Sequence, residues 1–318
     1  MTHKGLLALA LAAGLTAAAA VEPVPATTPA DQEAERLFLE ISRRDFAAAK
    51  ALLAAHPDIN LKYSPHPDGD FSIMATAAAS GDPELVRQLL ARGGDPRHPN
   101  NAPLAWAAFD NSHEIIRMLV AAGADVNGDW MRAPRGTAPI FSATTPETLE
   151  LLLSLGADIE HRDLRTGKTP LHGSFDHADV TAALLRHGAK VDSLDHDGHT
   201  PLFEAVFWFH PECLADPKNS WHQESLNALR TIDLLIAHGA DVNRQDYKGN
   251  TALHYAAMRY HPPLFAKLLA AGAQIDVPNH GGWTPLMWAA EEPGGAQAVA
   301  RLLELGADPG RRTQDGET

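Results

Sequence analysis

The residues best suited to chemistry lie in one stretch, AVFWFHPECLADPKNSWHQES, residues 205–225. It contains the only cysteine of the chain, Cys213, together with His210 and His222. A His-x-x-Cys pair has a spacing that zinc accepts, and Asp216 would supply a fourth ligand, because zinc is held by thiolate, imidazole and carboxylate groups. A cysteine close to a histidine is also the start of a nucleophilic site. The stretch therefore raises two chemical interpretations, a metal site and a thiol site.

The pattern around these residues supports both interpretations weakly. Zinc sites usually show tighter pairs such as two Cys-x-x-Cys motifs, and this stretch has a single His-x-x-Cys match. No protease motif surrounds Cys213, and the sequence has no H-E-x-x-H motif, glycine-rich phosphate loop or Ser-His-Asp pattern. We therefore expect a shielded free thiol, no cofactor and no enzymatic activity. A metal-binding protein, or a metal- or thiol-dependent enzyme, that uses residues 207–224 is the alternative.

The elements that position this stretch belong to a repeat with a period near 33 residues. Between leucine-rich runs the signatures APLAWAA, TPLHGSF, TPLFEAV, TALHYAA and TPLMWAA recur. A Gly-Ala-Asp-like triplet follows each leucine-rich run, at intervals of 30, 33, 32, 51, 33 and 34 residues, and begins at Gly93, Gly123, Gly156, Gly188, Gly239, Gly272 and Gly306. Such a period is typical of a repeat array.

Each part of the repeat has a physical explanation. Threonine before proline caps a helix, and proline is tolerated at the first helical position because an N–H there would have no partner. Apolar residues at helical spacing predict a second helix, as in PELVRQLLARG, residues 83–93. The glycine after the leucines ends that helix in a left-handed conformation. A D-x-x-G turn, such as DHDG at 195–198, then forms an extended finger that leads to the next repeat.

These signatures resemble those of the ankyrin repeat family across nearly all of residues 31–318. The resemblance implies about eight helix–turn–helix–finger units in an all-α repeat solenoid. It also implies a scaffold that binds another protein through its fingers and first helices. In the Thr-Pro-Leu-His motif and its variant, it implies that His172 and His254 bond the capping threonine and the finger backbone.

Two departures from the repeat are predicted to contact a partner. GDWMRAPRG, residues 128–136, lengthens one finger and places Trp130, Arg132 and Arg135 in an otherwise acidic chain. The second departure is the insertion at 207–224.

The finger turn DHDGH brings His196 and His199 together with two aspartates, which favours a hydrogen-bonding contact surface over a metal cage. We predict that Tyr247 and Trp283, in later fingers, extend this contact surface.

The stretch that contains His210, Cys213 and His222 is an insertion of 18 residues beyond the regular interval, at 207–224. It lies in the turn between two helices, where added loop length costs little. We predict that it contacts the partner through Trp208 and Trp221, that the second helix of this repeat spans 228–239, and that the repeat folds without the insertion.

The N-terminal sequence indicates the cellular location of the chain, and the net charge restricts its class of partner. Residues 1–20 combine a basic start, an apolar run and small residues, which is typical of a secretory signal peptide, and residues 21–30 are a proline-rich linker. The apolar run is shorter than the ~20 residues that a membrane span needs, so we expect no membrane insertion after cleavage and a periplasmic location.

The net charge of −14 argues against nucleic acid as a partner. We expect an unidentified protein partner.

Overall fold

The computed structural model describes most of the chain from residue 28 to residue 316. The described ranges are 28–59, 61, 72–97, 103–128, 138–214, 217–219, 221–259, 262–292 and 295–316. The chain divides into two compact units, Met1–Asp158 and Ile159–Thr318. The predicted signal peptide lies outside the described residues. The predicted linker is shorter than expected, because Thr28 caps a helix that begins at Pro29.

The described part of the first unit consists of paired helices. They are α1 (Pro29–Ser42), α2 (Phe46–Ala55), α3 (Ile73–Ser80), α4 (Pro83–Ala91), α5 (Pro103–Phe109), α6 (His113–Ala121), a 3-10 helix (Pro139–Ser142) and α7 (Pro146–Ser154). The first helices α3 and α5 contact each other, and so do the second helices α4 and α6.

The second unit repeats this arrangement. Its helices are α8 (Pro170–Gly173), α9 (Ala178–Arg186), α10 (Pro201–Phe207), a 3-10 helix (Pro211–Leu214), α11 (His222–Ala237), α12 (Ala252–Met258), α13 (Pro262–Ala270), α14 (Pro285–Glu291) and α15 (Ala296–Glu304). The first helices α8, α10, α12 and α14 contact one another in series. Since the described residues form helices and no strands, the predicted class, an all-α array of helix–turn–helix–finger repeats, is confirmed.

The helix ends follow the predicted capping rules. Thr200 and Thr284 accept hydrogen bonds from the backbone N–H groups of Phe203 and Met287. The seven glycines that follow the leucine-rich runs all have positive φ, between 82° and 98°. Glycine adopts this left-handed conformation without the steric cost that a side chain brings. Local residues therefore fix where each second helix stops.

One leucine of each second helix anchors the core. It lies four residues before the helix-ending glycine, and it is no more than 1% exposed in every repeat: Leu89, Leu119, Leu152, Leu184, Leu235, Leu268 and Leu302. Burying such a side chain contributes about 1.5–3 kcal/mol. The small alanines of the first helices, such as Ala107 and Ala256, are fully buried and allow neighbouring helices to approach closely.

Two consecutive repeats have reduced first helices. The first of them has only the 3-10 helix Pro139–Ser142 at this place, and the second has only the four-residue helix α8. In both, the next helix begins soon afterwards, at Pro146 and at Ala178. The chain there lacks the residues for a full first helix, because the turn between the helices is shortened.

The insertion is packed more closely onto its repeat than the sequence predicted. Helix α11 begins at His222 rather than at Ala228, so the end of the insertion is helical. Phe209 is fully buried, and Cys213 is 6% exposed. His222 Nδ1 donates to the carbonyl oxygen of Cys213 at 2.9 Å. This packing argues against the prediction that the repeat folds equally well without residues 207–224, because deletion would remove buried apolar side chains.

Among the helices that the structure describes, none combines the length and the apolar character that crossing a membrane requires.

Candidate functional site

Finger turns in the second unit present side chains next to the first helices. In the turn before α10, Asp195 Oδ1 accepts hydrogen bonds from the backbone N–H groups of Asp197 and His199, at 2.9 and 2.8 Å. Asp246 does the same in the following turn, for Lys248 and Asn250. Each aspartate fixes its turn through one carboxylate oxygen. The other oxygen, Oδ2, is left to face the neighbouring side chains.

Two buried histidines join each finger to the preceding first helix. The Nδ1 atom of His172 accepts from the N–H of Thr169 at 3.1 Å, and its Nε2 donates to the carbonyl oxygen of His199 at 3.1 Å. His254 makes the same bonds to Thr251 and to the carbonyl oxygen of Trp283. These contacts confirm the roles that the family resemblance implied. Burial lowers the pKa of both imidazoles to about 4.

His199 lies among three carboxylates. Its Nδ1 is 3.7 Å from Asp195 Oδ2 and 3.9 Å from Glu204 Oε1, and its Nε2 is 3.7 Å from Asp246 Oδ2. Lys168 Nζ forms an ion pair with the other oxygen of Glu204, Oε2, at 2.8 Å. We call these five residues the His199 cluster. The side chains of Asp195, Glu204 and Asp246 are at most 7% exposed, so the charges interact with little screening by solvent.

The cluster perturbs the titration of its members. Burial lowers the pKa of His199, but Asp246 and the charges of Asp195 and Glu204 outweigh burial and raise that pKa above its usual 6.5. Burial alone would raise the pKa of Asp246, yet the nearby imidazole of His199 and the hydrogen bonds from Asn250 and the turn backbone hold it at about 2. The imidazole of His199 is therefore held in a site that favours a cation.

An aromatic row continues from the cluster across the first helices. The His199 ring stacks on Phe203 at 4.6 Å, and Phe203 meets Tyr255 edge-on at 4.4 Å. Tyr255 in turn contacts Trp288 at 5.4 Å. Burial, together with Asp246, raises the pKa of the Tyr255 hydroxyl to about 12. Phe203 is buried, whereas His199, Tyr255 and Trp288 are partly exposed.

The predicted contact Trp208 joins this row at the end of α10. Its indole Nε1 donates to Glu204 Oε2 at 3.2 Å, and its ring stacks on Phe175 at 5.8 Å. Its other ring neighbour, Phe207, lies under the guanidinium of Arg259, 4.3 Å from its ring centroid. Trp208 nevertheless remains 43% exposed. The structure thus connects the insertion to the His199 cluster through a single hydrogen bond.

The other predicted contacts are spread along the second unit. Trp221, just before α11, is 59% exposed, and Tyr247, in a finger turn, is 63% exposed. His196 is exposed and turns away from His199, since its Nδ1 donates to the carbonyl oxygen of Arg165 at 3.2 Å. Trp283 is half-buried in the finger before α14.

The other three predicted contacts, Trp130, Arg132 and Arg135, lie in the long finger outside the described residues. The binding role of all these residues stays a prediction.

Comparison with known proteins decides the family. A family model of ankyrin repeats matches in three copies, over residues 37–129, 140–215 and 222–313. The chain belongs to the ankyrin repeat family. The matched segments exclude most of the long finger and the middle of the insertion, which are two of the places where the sequence departs from the repeat.

Curated relatives share these repeats within proteins of varied description. The ankyrin repeat protein nuc-2 of Neurospora crassa is 34% identical over 181 residues, 51% of this chain and 17% of that protein. NF-kappa-B inhibitor delta of Mus musculus is 29% identical over 231 residues, 67% of this chain and 68% of that protein. The phosphocholine transferase AnkX of Legionella pneumophila is 24% identical over 254 residues, 76% of this chain and 26% of that protein. The chain therefore spans only a small part of two of these relatives.

Among the described residues of the insertion in this ankyrin repeat protein, no group of three metal-binding side chains converges. Cys213 is buried, and His222 Nδ1 donates to its backbone carbonyl oxygen. Asp216 lies outside the described residues. Among the residues that the structure describes, the one group of three metal-binding side chains with converging ligand atoms is Asp195, His199 and Glu204, whose atoms lie within 4.8 Å of one another.

Sequence reasoning missed part of this group. It found the turn that holds Asp195 and His199, but it interpreted the turn as a contact surface and did not consider Glu204. The signal was available in TPLFEAV, because Glu204 occupies the helical position that holds Tyr255 and Trp288 in the next two repeats. The position also holds Trp106 in an earlier repeat, so a carboxylate there distinguishes this repeat from those three.

Proposed function

We propose that this chain is an exported scaffold that binds a protein partner in the periplasm and catalyses no reaction itself. Ankyrin repeats support a role in protein–protein interaction, which membership of the family establishes only in general terms. The order of basic, apolar and small residues in 1–20 supports export. The net charge of −14 favours a partner with a basic face over nucleic acid.

One observation carries the proposal furthest. Five large apolar side chains are exposed among the described residues, and three of them are the aromatics Trp208, Trp221 and Tyr247 of the second unit. Aromatic side chains contribute much of the binding energy of protein interfaces, because they bury a large area and lose little entropy. These three aromatics are predicted to anchor the partner, with His196, His199 and Trp283 contributing along the fingers.

The alternative of a thiol-dependent enzyme in the insertion has no support from the described residues. A nucleophilic sulfur must reach its substrate, whereas Cys213 is 6% exposed. Its neighbour His222 donates its Nδ1 hydrogen to a backbone carbonyl, so that nitrogen has no lone pair with which to accept a proton from the thiol.

Substitution at the exposed tryptophans tests the scaffold function. The double variant Trp208→Ala/Trp221→Ala should capture less of the partner from a periplasmic extract than the wild type, and with the purified partner its Kd should rise at least about tenfold. Leu303→Ala is the matched control, because Leu303 is 42% exposed on a second helix. Circular dichroism shows whether each variant is folded. Equal affinity of the folded double variant and the wild type would refute the assignment of these anchors.

Export is tested separately. Cell fractionation followed by N-terminal sequencing should find a periplasmic chain that begins near Val21. A cytoplasmic chain that keeps Met1 would contradict the proposed location without affecting the scaffold function.

A further inference from the structure

We propose that Asp195, His199 and Glu204 form a binding site for one divalent transition-metal cation, of which Zn²⁺ is the representative. An imidazole with two carboxylates is a ligand set that such cations accept, whereas Ca²⁺ and Mg²⁺ prefer oxygen ligands alone. The three residues belong to one finger turn and the helix α10 that follows it. The site is therefore built within a single repeat.

Two carboxylates with largely buried side chains each direct one oxygen toward the imidazole. The side chains of Asp195 and Glu204 are 2% and 7% exposed. Asp195 uses Oδ1 for the turn backbone, and Glu204 uses Oε2 for Lys168 and Trp208. In the described part of the chain, Asp195 Oδ2 and Glu204 Oε1 accept no hydrogen bond. Each carboxylate therefore keeps one oxygen available for a cation.

The spacing of the ligand atoms is close to that of zinc ligands. His199 Nδ1 is 3.7 Å from Asp195 Oδ2 and 3.9 Å from Glu204 Oε1, which is too long for hydrogen bonds. Bonds of about 2.0–2.2 Å place two ligands of a tetrahedral zinc ion roughly 3.4 Å apart. A movement of a few tenths of an ångström would bring each of these two pairs to that spacing. The three ligand atoms together lie within 4.8 Å of one another, so the two carboxylate oxygens would also adjust on binding, and water would complete the coordination.

The other nitrogen of the His199 imidazole, Nε2, also faces a carboxylate. His199 Nε2 faces Asp246 Oδ2 at 3.7 Å. A carboxylate on that side favours the tautomer with its hydrogen on Nε2 and leaves the Nδ1 lone pair for a metal, as in the carboxylate–histidine–zinc arrangement. Asp246 would thus orient the ligand without touching the ion.

The charge around the site favours a cation. Three carboxylates face His199, and the ammonium group of Lys168 neutralises only one of them. Lys168 contacts Oε2 of Glu204, so it leaves Oε1 available and holds the side chain in place. A bound divalent ion would offset the remaining negative charge.

The next repeat has different residues at the positions of His199 and Glu204. At the position of His199 it has Asn250, whose amide donates directly to Asp246 Oδ2 at 3.0 Å. At the position of Glu204 it has Tyr255, whose hydroxyl donates to the same oxygen. Direct hydrogen bonds thus satisfy the second aspartate, whereas the equivalent oxygen of Asp195 lacks them. A repeat of this family can therefore pack without a histidine and a glutamate at these two positions.

The test uses the full chain without a histidine tag and Zn²⁺ alone as the probe. After chelator treatment and its removal, isothermal titration at pH 7.5 should give one zinc per chain. His199→Asn, which places the residue of the next repeat at this position, and Glu204→Gln should each weaken this binding at least about tenfold. His196→Asn is the matched control, because it removes an exposed histidine of the same turn and should leave zinc binding unchanged.

A variant that unfolds would also lose the metal, so a measurement on the wild type alone accompanies the titration. Zinc should raise the melting temperature of the wild-type chain relative to a chelator, because a ligand that binds the folded state stabilises it. Replacing zinc with Co²⁺ should give visible absorption bands that are absent in His199→Asn. Absence of one-to-one binding, or equal binding by folded His199→Asn, would overturn the proposal. Loss of binding in His196→Asn would overturn it as well, since the ligands would then be different.

Discussion

Lowering the pH from 7.5 to 5 should destabilise the second unit through two buried histidines, His172 and His254. Each imidazole accepts a backbone N–H at Nδ1, from Thr169 and Thr251 respectively. A proton on Nδ1 would clash with that N–H, and the charged imidazolium would be fully buried. Protonation therefore requires the capping bond to break, so acid favours the unfolded chain.

The magnitude follows from the difference between the pKa values of the two states. In the unfolded chain the imidazole has its ordinary pKa of 6.5, and in the folded unit the pKa of both histidines is about 4. Because the folded pKa is the lower one, this contribution is complete above pH 6.5 and is lost as the pH falls from 6.5 towards 4. At pH 5 the loss is about 2 kcal/mol for each histidine. The pKa of His199 is raised in the folded unit, so the contribution of His199 has the opposite pH dependence and stabilises the folded unit at low pH.

Substitution by glutamine isolates the contribution of each histidine. The wild type, His172→Gln and His254→Gln are unfolded with urea at pH 7.5 and at pH 5, followed by far-ultraviolet circular dichroism. Glutamine does not titrate, so each variant should lose about 2 kcal/mol less than the wild type between the two pH values. His196→Gln, at an exposed site, should keep the wild-type difference. If both variants lose as much stability as the wild type, the two histidines do not cause the pH dependence.

Two further substitutions test the packing of the fingers and of the insertion. Cys213→Ser should cost about 1–3 kcal/mol in urea unfolding, because a hydroxyl group replaces a buried thiol; fast labelling of the native thiol together with unchanged stability would contradict this. Gly198→Ala should cost more than Gly188→Ala. Both glycines have positive φ, but a Cβ at Gly198 would lie 2.8 Å from the ring of Tyr247, whereas Gly188 has open space. Equal losses in thermal unfolding would show that the contact does not matter.

The sequence predicted the features that depend on neighbouring residues. Thr200 caps α10 and Gly188 ends α9 through interactions within a few positions of the chain, so the motif itself indicates the structure. The insertion was predicted less well. Its prolines and polar residues indicate a loop, yet the burial of Phe209 depends on the helices that cover it.

The His199 cluster illustrates the limit of such prediction. Asp246 reaches His199 only because consecutive fingers stack, and a motif search within one finger cannot find that contact. Lys168 likewise comes from the preceding repeat. The carboxylates that shift the pKa of His199 therefore belong to two repeats, and their distances follow from the fold.

The bond that joins each buried histidine to the following finger has a consequence for how the array can evolve. His172 and His254 donate to main-chain carbonyl oxygens, which belong to His199 and Trp283. A carbonyl oxygen is the same for any residue, so the bond that links the repeats does not constrain the side chain at the acceptor position. That position carries an imidazole in one repeat and an indole in another while the linkage is unchanged. Mutation can thus diversify the ligand-facing side chains of the fingers, and whole repeats can be duplicated, without redesign of the contacts that hold the repeats together.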